Sequence, residues 1–151
     1  MSVNPFDIRT VLLAKHAQHV LLIHFPIALF TAAVAFDYFA QWTKNRTLAA
    51  ATYFNLLLAA VSTVPVLVTG LAAWQWALEG QKLKGILRMH LVLGCISTVL
   101  IWFVFWIHFR VQRHPEESLP RYRLPIEALA VLIVGLTGHL GGLLSGVNGT
   151  S

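Results

Sequence analysis

The sequence predicts an all-α fold, a transmembrane four-helix bundle with a short N-terminal interfacial helix. Hydrophobic residues make up 57% of the 151 residues and charged residues only 11%, which is outside the range of a soluble domain. Four apolar runs each have the roughly 20 residues that a helix needs to cross the hydrocarbon core of a bilayer. The runs are continuous and do not alternate with polar residues, which excludes the strands of a membrane barrel.

The elements are taken in chain order. Asn4 followed by Pro5 is typical of a helix start, and residues 5–18 have the apolar and charged faces of an interfacial helix. The spans are predicted at about 20–42, 48–76, 86–109 and 124–146. Short polar connections make neighbouring helices antiparallel, so residues 1–151 are predicted to form a single integral-membrane domain. We call the membrane face where the first span begins face A, and the opposite face is face B.

Charge and cysteine content exclude several functions. The net charge is +5, but the basic residues are scattered over loops between spans, where anionic lipid headgroups are the ordinary partner. Nucleic-acid binding is therefore not expected. Cys95 is the single cysteine, so a disulfide, a thiolate cluster and covalent c-type haem attachment by Cys-x-x-Cys-His are all excluded.

Three histidines are predicted to meet inside the membrane near face A. They are His24 in the first span, His90 in the third and His139 in the fourth. At 1.5 Å per residue they lie about 6 to 11 Å from the face A boundary. Ionisable residues at this depth are costly and usually functional, so we expect a metal or haem site there.

Each of these histidines has a small residue four positions toward the midplane, on the same helix face. The small residues are Ala28, Gly94 and Gly135. They leave open space beside the imidazoles, as a flat haem requires, and neutral imidazole is a common iron ligand. The alternative is structural, because small residues also let membrane helices approach and histidine can form hydrogen bonds between them.

Five other residues are assigned by position. His19 precedes the first span and is a further candidate ligand, while Arg88 is a candidate partner for a haem propionate. His108 lies about 27 Å from His90 along its helix and is expected at the face B headgroups. Asp37 and Glu127 are expected to be interfacial residues near face B, Asp37 with a cation or indole as partner.

Several motifs resemble those of a known family. At the start of the first span, residues 19–29 have the sequence His-Val-Leu-Leu-Ile-His-Phe-Pro-Ile-Ala-Leu, and Asp37 follows. The second span contains Thr-Gly-Leu at 69–71 and then Trp74. In the fourth span, residues 137–143 have the sequence Thr-Gly-His-Leu-Gly-Gly-Leu. The chain resembles the bacterial membrane domain-of-unknown-function family 2231, whose signature is His-Pro-x-x-x-His-Phe-Pro-x-Ala-Leu followed by Asp. Val20 replaces the first proline, and Ala73, Leu144 and Ser145 replace polar residues usual in the family.

The resemblance implies a four-helix fold and supports four histidines as matched positions, namely His19, His24, His90 and His139. Members of the family are similar to small cytochrome b modules with two axial ligands, which is an analogy of fold.

We predict a membrane-embedded b-type haem electron-transfer subunit of a larger redox complex. One non-covalent haem b would be held by two of His24, His90 and His139, with the third as a supporting group. Expected partners are the lipid bilayer, other redox or membrane subunits, and a quinol or a periplasmic cytochrome. Basic residues favour face B in the cytoplasm, so the histidines would face the periplasm of a bacterial inner membrane. The alternatives are a structural or assembly subunit without haem, and a transient metal or proton site.

Overall fold

Four long helices form the structure. A computed structural model describes residues 17–77, 82–114, 116 and 118–145. The helices are α1 (Ala17–Thr43), α2 (Arg46–Ala77), α3 (Gly85–Arg113) and α4 (Arg123–Leu144), and no strand occurs among these residues. All four are long and apolar enough to cross a membrane, which confirms the four predicted spans. The predicted interfacial helix at 5–18 falls almost entirely outside the described residues.

The helices pack as an up-and-down bundle in which each helix contacts its neighbours in the chain and α1 also contacts α4. The turn between α1 and α2 is short because Lys44 adopts the left-handed conformation, with φ of 56°. The side chain of Asn45 then caps α2, since its Oδ1 accepts hydrogen bonds from the backbone N–H groups of Thr47 and Leu48. This turn makes α1 and α2 antiparallel.

Small side chains bring the helices together at the centre of the bundle. Ala33, Ala59, Ala60 and Ala130 are fully buried, and they pack with larger core residues that include Phe30. Lipid is as apolar as a protein core, so membrane helices associate through close packing of small residues. Many large apolar residues face outward instead, for example Leu21, Phe54 and Leu132. The centre of the bundle is therefore mainly apolar, with a few buried hydroxyls such as those of Thr63 and Ser97.

Candidate functional site

Two imidazoles, which we call the face A pair, lie close together near face A. His19 lies in the first turn of α1 and His90 in the second turn of α3. Their ring centres are 6.5 Å apart and the ring planes are at 85° to each other. Imidazoles that share one metal as opposite ligands have ring centres about 6 Å apart, because each nitrogen lies about 2 Å from the metal. The spacing of this pair is therefore compatible with a shared metal.

Hydrogen bonds from the neighbouring helices define the tautomer of both rings. The hydroxyl of Thr69 donates to the carbonyl of Pro65 at 2.7 Å, so at 3.3 Å from His19 Nδ1 it acts as the acceptor. The carbonyl of Thr137, 3.1 Å from His90 Nδ1, can only accept. Both rings are thus assigned as Nδ1–H tautomers, and in a neutral imidazole of this kind the lone pair is on Nε2. This is the arrangement that metal-binding histidines usually have.

Two glycines lie directly against the imidazoles. A Cβ atom added to Gly70 on α2 would come within 2.9 Å of His19 Cε1, and one added to Gly141 on α4 within 3.1 Å of His90 Cε1. Both distances are shorter than side-chain carbons ordinarily tolerate. The absence of a side chain at these two positions is therefore what lets each ring occupy its present place.

The expected meeting of His24, His90 and His139 inside the bundle is corrected by the structure. His24 is exposed on the outside of α1, where its Nδ1 lies 2.7 Å from the carbonyl of Val20 in the same helix. His139 is also exposed. The reason is helical phase. His24 follows the inward-facing His19 by five residues, about 140° around the helix, and His139 follows Thr137 by two, about 160° from the inward direction.

The small residues beside the imidazoles are also not the expected ones. Gly94 would place an added Cβ in ordinary contact with Thr137, 3.9 Å away, and a Cβ added to Gly135 would have no described atom within 4 Å. Neither therefore lies against an imidazole as Gly70 and Gly141 do. Arg88 is exposed at the same end of α3 as His90. The pairing of Arg88 with a haem propionate remains a prediction, and so does the binding of haem.

A second polar group, which we call the face B cluster, lies at the opposite end and consists of Asp37, His108, Arg123 and Glu127. Arg123 donates to both oxygens of Asp37, from Nε at 2.8 Å and from Nη2 at 3.2 Å. His108 Nε2 lies 3.1 Å from Glu127 Oε1. The four residues are only 1% to 6% exposed. The cluster therefore joins α1, α3 and α4 through two buried pairs.

The face B cluster corrects one sequence interpretation and confirms another. His108 is buried and bonded to Glu127, so it does not anchor at the headgroups, and the side chain of Glu127 lies inside the bundle. The expected cation partner of Asp37 is found in Arg123. The signal for the whole cluster was present in the sequence, because Asp37, His108 and Glu127 all interrupt apolar runs at the same membrane depth. Their pairing, however, joins different helices and depends on how these helices pack.

Comparison with known families gives one result. A family model described as a predicted membrane protein (DUF2231) matches residues 15–150. The chain belongs to this family. The match extends over all four helices and includes both histidines of the face A pair and the whole face B cluster, so the resemblance seen in the sequence motifs is confirmed. No curated protein and no solved structure matches the chain. Membership of DUF2231 establishes a multi-pass membrane protein and leaves its activity to be argued from the site.

Proposed function

We propose that this DUF2231 protein binds one haem b non-covalently, with His19 and His90 as axial ligands, and transfers single electrons as a membrane subunit of a redox complex. The observation that carries the proposal is the facing imidazole pair, with ring centres 6.5 Å apart. Two helices that are not consecutive in the chain supply the pair. A site between helices of a bundle is where such proteins place their cofactors.

The chemistry of the donor set fits an iron porphyrin. Both imidazoles are assigned as the tautomer that presents the Nε2 lone pair, by Thr69 for His19 and by Thr137 for His90. Gly70 and Gly141 keep side chains away from the two rings. A haem with two strong imidazole ligands supplies one-electron redox chemistry and has no open position for oxygen. These features support electron transfer over oxygen activation.

Different groups of the protein orient the two imidazole rings. The hydroxyl of Thr69 is itself fixed by the carbonyl of Pro65, so it orients His19 from α2. The carbonyl of Thr137 orients His90 from α4. Such supporting hydrogen bonds fix ring orientation and raise the basicity of the ligand nitrogen. Arg88 is exposed at the same end of the bundle and is the cation we assign to a propionate.

The partners follow from electron transfer in a membrane. We expect a quinol or a periplasmic cytochrome to exchange electrons with the haem, and other redox or membrane subunits to adjoin the bundle. Basic residues near face B favour its cytoplasmic location. With that orientation in a bacterial inner membrane, the imidazole pair lies on the periplasmic side. An accessibility assay on single cysteines introduced at Lys44 and Lys84 tests this orientation in cells.

The decisive experiment is the absorption spectrum of detergent-purified protein produced with ample haem. We expect a b-type band in the dithionite-reduced form, with one haem per chain. His19→Ala and His90→Ala should each abolish the band or greatly weaken it. His24→Ala and His139→Ala are the matched controls, because both rings are exposed outside the bundle, and they should keep it. A folded wild-type protein without haem, or loss of the band in the two control variants instead, would overturn the proposal.

A specific observation also favours a second candidate, a structural or assembly subunit without haem. The hydrogen bond from His19 to Thr69 joins α1 to α2, and that from His90 to Thr137 joins α3 to α4, so the histidines already connect helices. In that case His19→Ala and His90→Ala lower thermal stability while the wild-type protein contains no haem. Elemental analysis of the same samples distinguishes a third case, a transient metal ion bound directly by the pair.

A further inference from the structure

The ionisable groups of the face B cluster do not balance in charge unless it takes up a proton. With both carboxyl groups ionised and His108 neutral, Asp37 and Glu127 would carry two negative charges against the one positive charge of Arg123. Burial of an unbalanced charge in a membrane protein is costly. One added positive charge would make the cluster neutral.

An oxygen without a partner lies in the same cluster. Glu127 Oε2 is buried and has no hydrogen-bond partner among the described residues, while Oε1 of the same carboxyl lies 3.1 Å from His108 Nε2. Buried polar atoms in folded proteins nearly always have a partner, and a carboxylate oxygen that no donor stabilises disfavours the ionised form of the Glu127 carboxyl. The oxygen belongs to a residue that is 1% exposed.

A pocket connects the cluster with the outside at face B. It has a volume of about 240 Å³ and lies between α2, α3 and the segment that leads to α4. His108 lines it together with Tyr53 and Leu119, and its lining also includes Arg46 and Gln112, which are exposed. Much of the lining is apolar, but Arg46, Tyr53, Gln112 and His108 supply polar groups, and the volume is ample for water molecules that bond to them. Solvent in it can reach the imidazole that is paired with Glu127.

The geometry points to a proton as the ligand: we propose that the face B cluster binds one exchangeable proton, shared between Glu127 and His108 and supplied through the pocket. A hydronium ion that enters the pocket from the solvent gives its proton to the imidazole or the carboxylate and leaves as neutral water, and the proton returns to water by the same route. The hydrogen bond between Nε2 and Oε1 is the path by which the two residues share it. This proposal is independent of haem binding at face A.

A divalent metal ion fits the same residues less well. Ligand atoms of Asp37, His108 and Glu127 do lie within 4.8 Å of one another. However, Arg123 already covers both oxygens of Asp37, and its Nε lies 4.0 Å from Glu127 Oε1. A divalent ion would therefore repel the adjacent guanidinium and give the buried cluster one excess positive charge. A single proton makes it neutral and displaces nothing.

All packed helices contribute charged or titratable groups near the shared proton. Those from α1 are Asp37 and Tyr38, those from α2 are Arg46 and Tyr53, and those from α4 are Arg123 and Glu127. Of these, Tyr38 donates to the carbonyl of Leu124, and Asp37 is held by Arg123. The unbalanced charge is therefore that of Glu127, with His108 as its one ionisable hydrogen-bond partner in the described structure.

The test follows protonation directly in the purified, full-length protein. Infrared difference spectra of protein with ¹³C-labelled glutamate, combined with nitrogen NMR of labelled histidine, are recorded from alkaline to acidic pH. We expect one proton to enter the Glu127–His108 pair, and Glu127→Gln to remove this uptake. His108→Gln leaves the carboxylate in place, so it should move the proton wholly to Glu127 and strengthen the protonated-carboxyl band at neutral pH.

The chain offers a matched control. His114 and Glu116 form a second His–Glu pair, 3.3 Å apart, with side chains 56% and 72% exposed. Glu116→Gln should alter only the signals of that exposed pair. The proposal is overturned if Glu127 remains ionised and His108 neutral over the whole titration. It is equally overturned if elemental analysis finds one divalent metal per chain that Glu127→Gln removes. Should Glu127→Gln fail to fold, the wild-type and His108→Gln spectra decide the question alone.

Discussion

The ring of His90 is bound to the backbone of Thr137: its Nδ1–H donates to the main-chain carbonyl, 3.1 Å away on α4. The hydroxyl of Thr137 has other partners, the carbonyl of Ile133 at 2.8 Å and the hydroxyl of Ser97 at 3.0 Å. One residue thus joins α3 to α4 through both its main chain and its side chain. A side-chain substitution does not remove a main-chain carbonyl. The tautomer of His90 therefore depends on the position of the α4 backbone and not on the side chain of Thr137.

Adding a methyl group beside either imidazole should disturb the face A pair. Gly70→Ala places a Cβ 2.9 Å from His19 Cε1, and Gly141→Ala places one 3.1 Å from His90 Cε1. Each ring must then move, so we expect at least a 10-fold loss of haem affinity in a titration of the apoprotein. Gly135→Ala is the control, since nothing lies within 4 Å of its added Cβ. Equal losses in all three variants would contradict this account.

Removal of the hydroxyl that orients His19 should weaken haem binding without abolishing it. Thr69→Val keeps the shape of the side chain but removes the acceptor 3.3 Å from Nδ1. Loss of a supporting hydrogen bond typically lowers metal affinity about 10- to 100-fold. The control is Thr98→Val, because the hydroxyl of Thr98 bonds the carbonyl of Gly94 in its own helix. If haem affinity falls equally in Thr98→Val, Thr69 has no special role.

The buried ion pair between Asp37 and Arg123 should matter for stability mainly because removal of one partner leaves the other buried without the hydrogen bonds it now makes to that partner. Asp37→Asn removes the carboxylate that accepts two hydrogen bonds from the guanidinium of Arg123, which is 1% exposed. The nearest remaining carboxylate is that of Glu127, whose Oε1 lies 4.0 Å from Nε. Breaking such a pair typically costs about 3 to 5 kcal/mol, so unfolding in mixed micelles should need much less denaturing detergent. The exposed pair of His114 and Glu116 supplies the control, where Glu116→Gln should cost less than about 1 kcal/mol. Similar losses of unfolding free energy in Asp37→Asn and Glu116→Gln would contradict burial as the cause.

The indole of Trp102 depends on a hydroxyl of α2. Its Nε1–H donates to Thr63 Oγ1 at 3.1 Å, and Thr63 is buried. Thr63→Val removes this acceptor, and side-chain hydrogen bonds between membrane helices average about 0.6 kcal/mol. We therefore expect a small loss of about 1 kcal/mol or less in the free energy of unfolding. Thr31→Val, whose hydroxyl bonds the carbonyl of Ile27 in its own helix, should show no comparable loss.

Depth in the membrane could be predicted from the sequence, whereas direction around a helix could not. Counting residues places His24 and His90 at similar depth because the rise per residue is constant. The direction of each ring depends on which helix face packs inward. In a soluble bundle the apolar stripe reveals that face, but here apolar residues such as Leu21 and Phe25 cover the lipid side as well. The sequence therefore does not show that His19 points inward and His24 outward.

A membrane protein of four helices and the approximate ends of these helices can be predicted from the sequence, because apolar length and composition decide which segments cross a bilayer. The concentration of histidines near face A can be predicted from the same helix ends. The tertiary structure alone decided that His19 meets His90 and that His108 meets Glu127. The physical reason is that these pairs join helices distant in the chain. Their meeting depends on how small core residues such as Ala33 and Ala130 let the backbones approach and set the rotation of each helix.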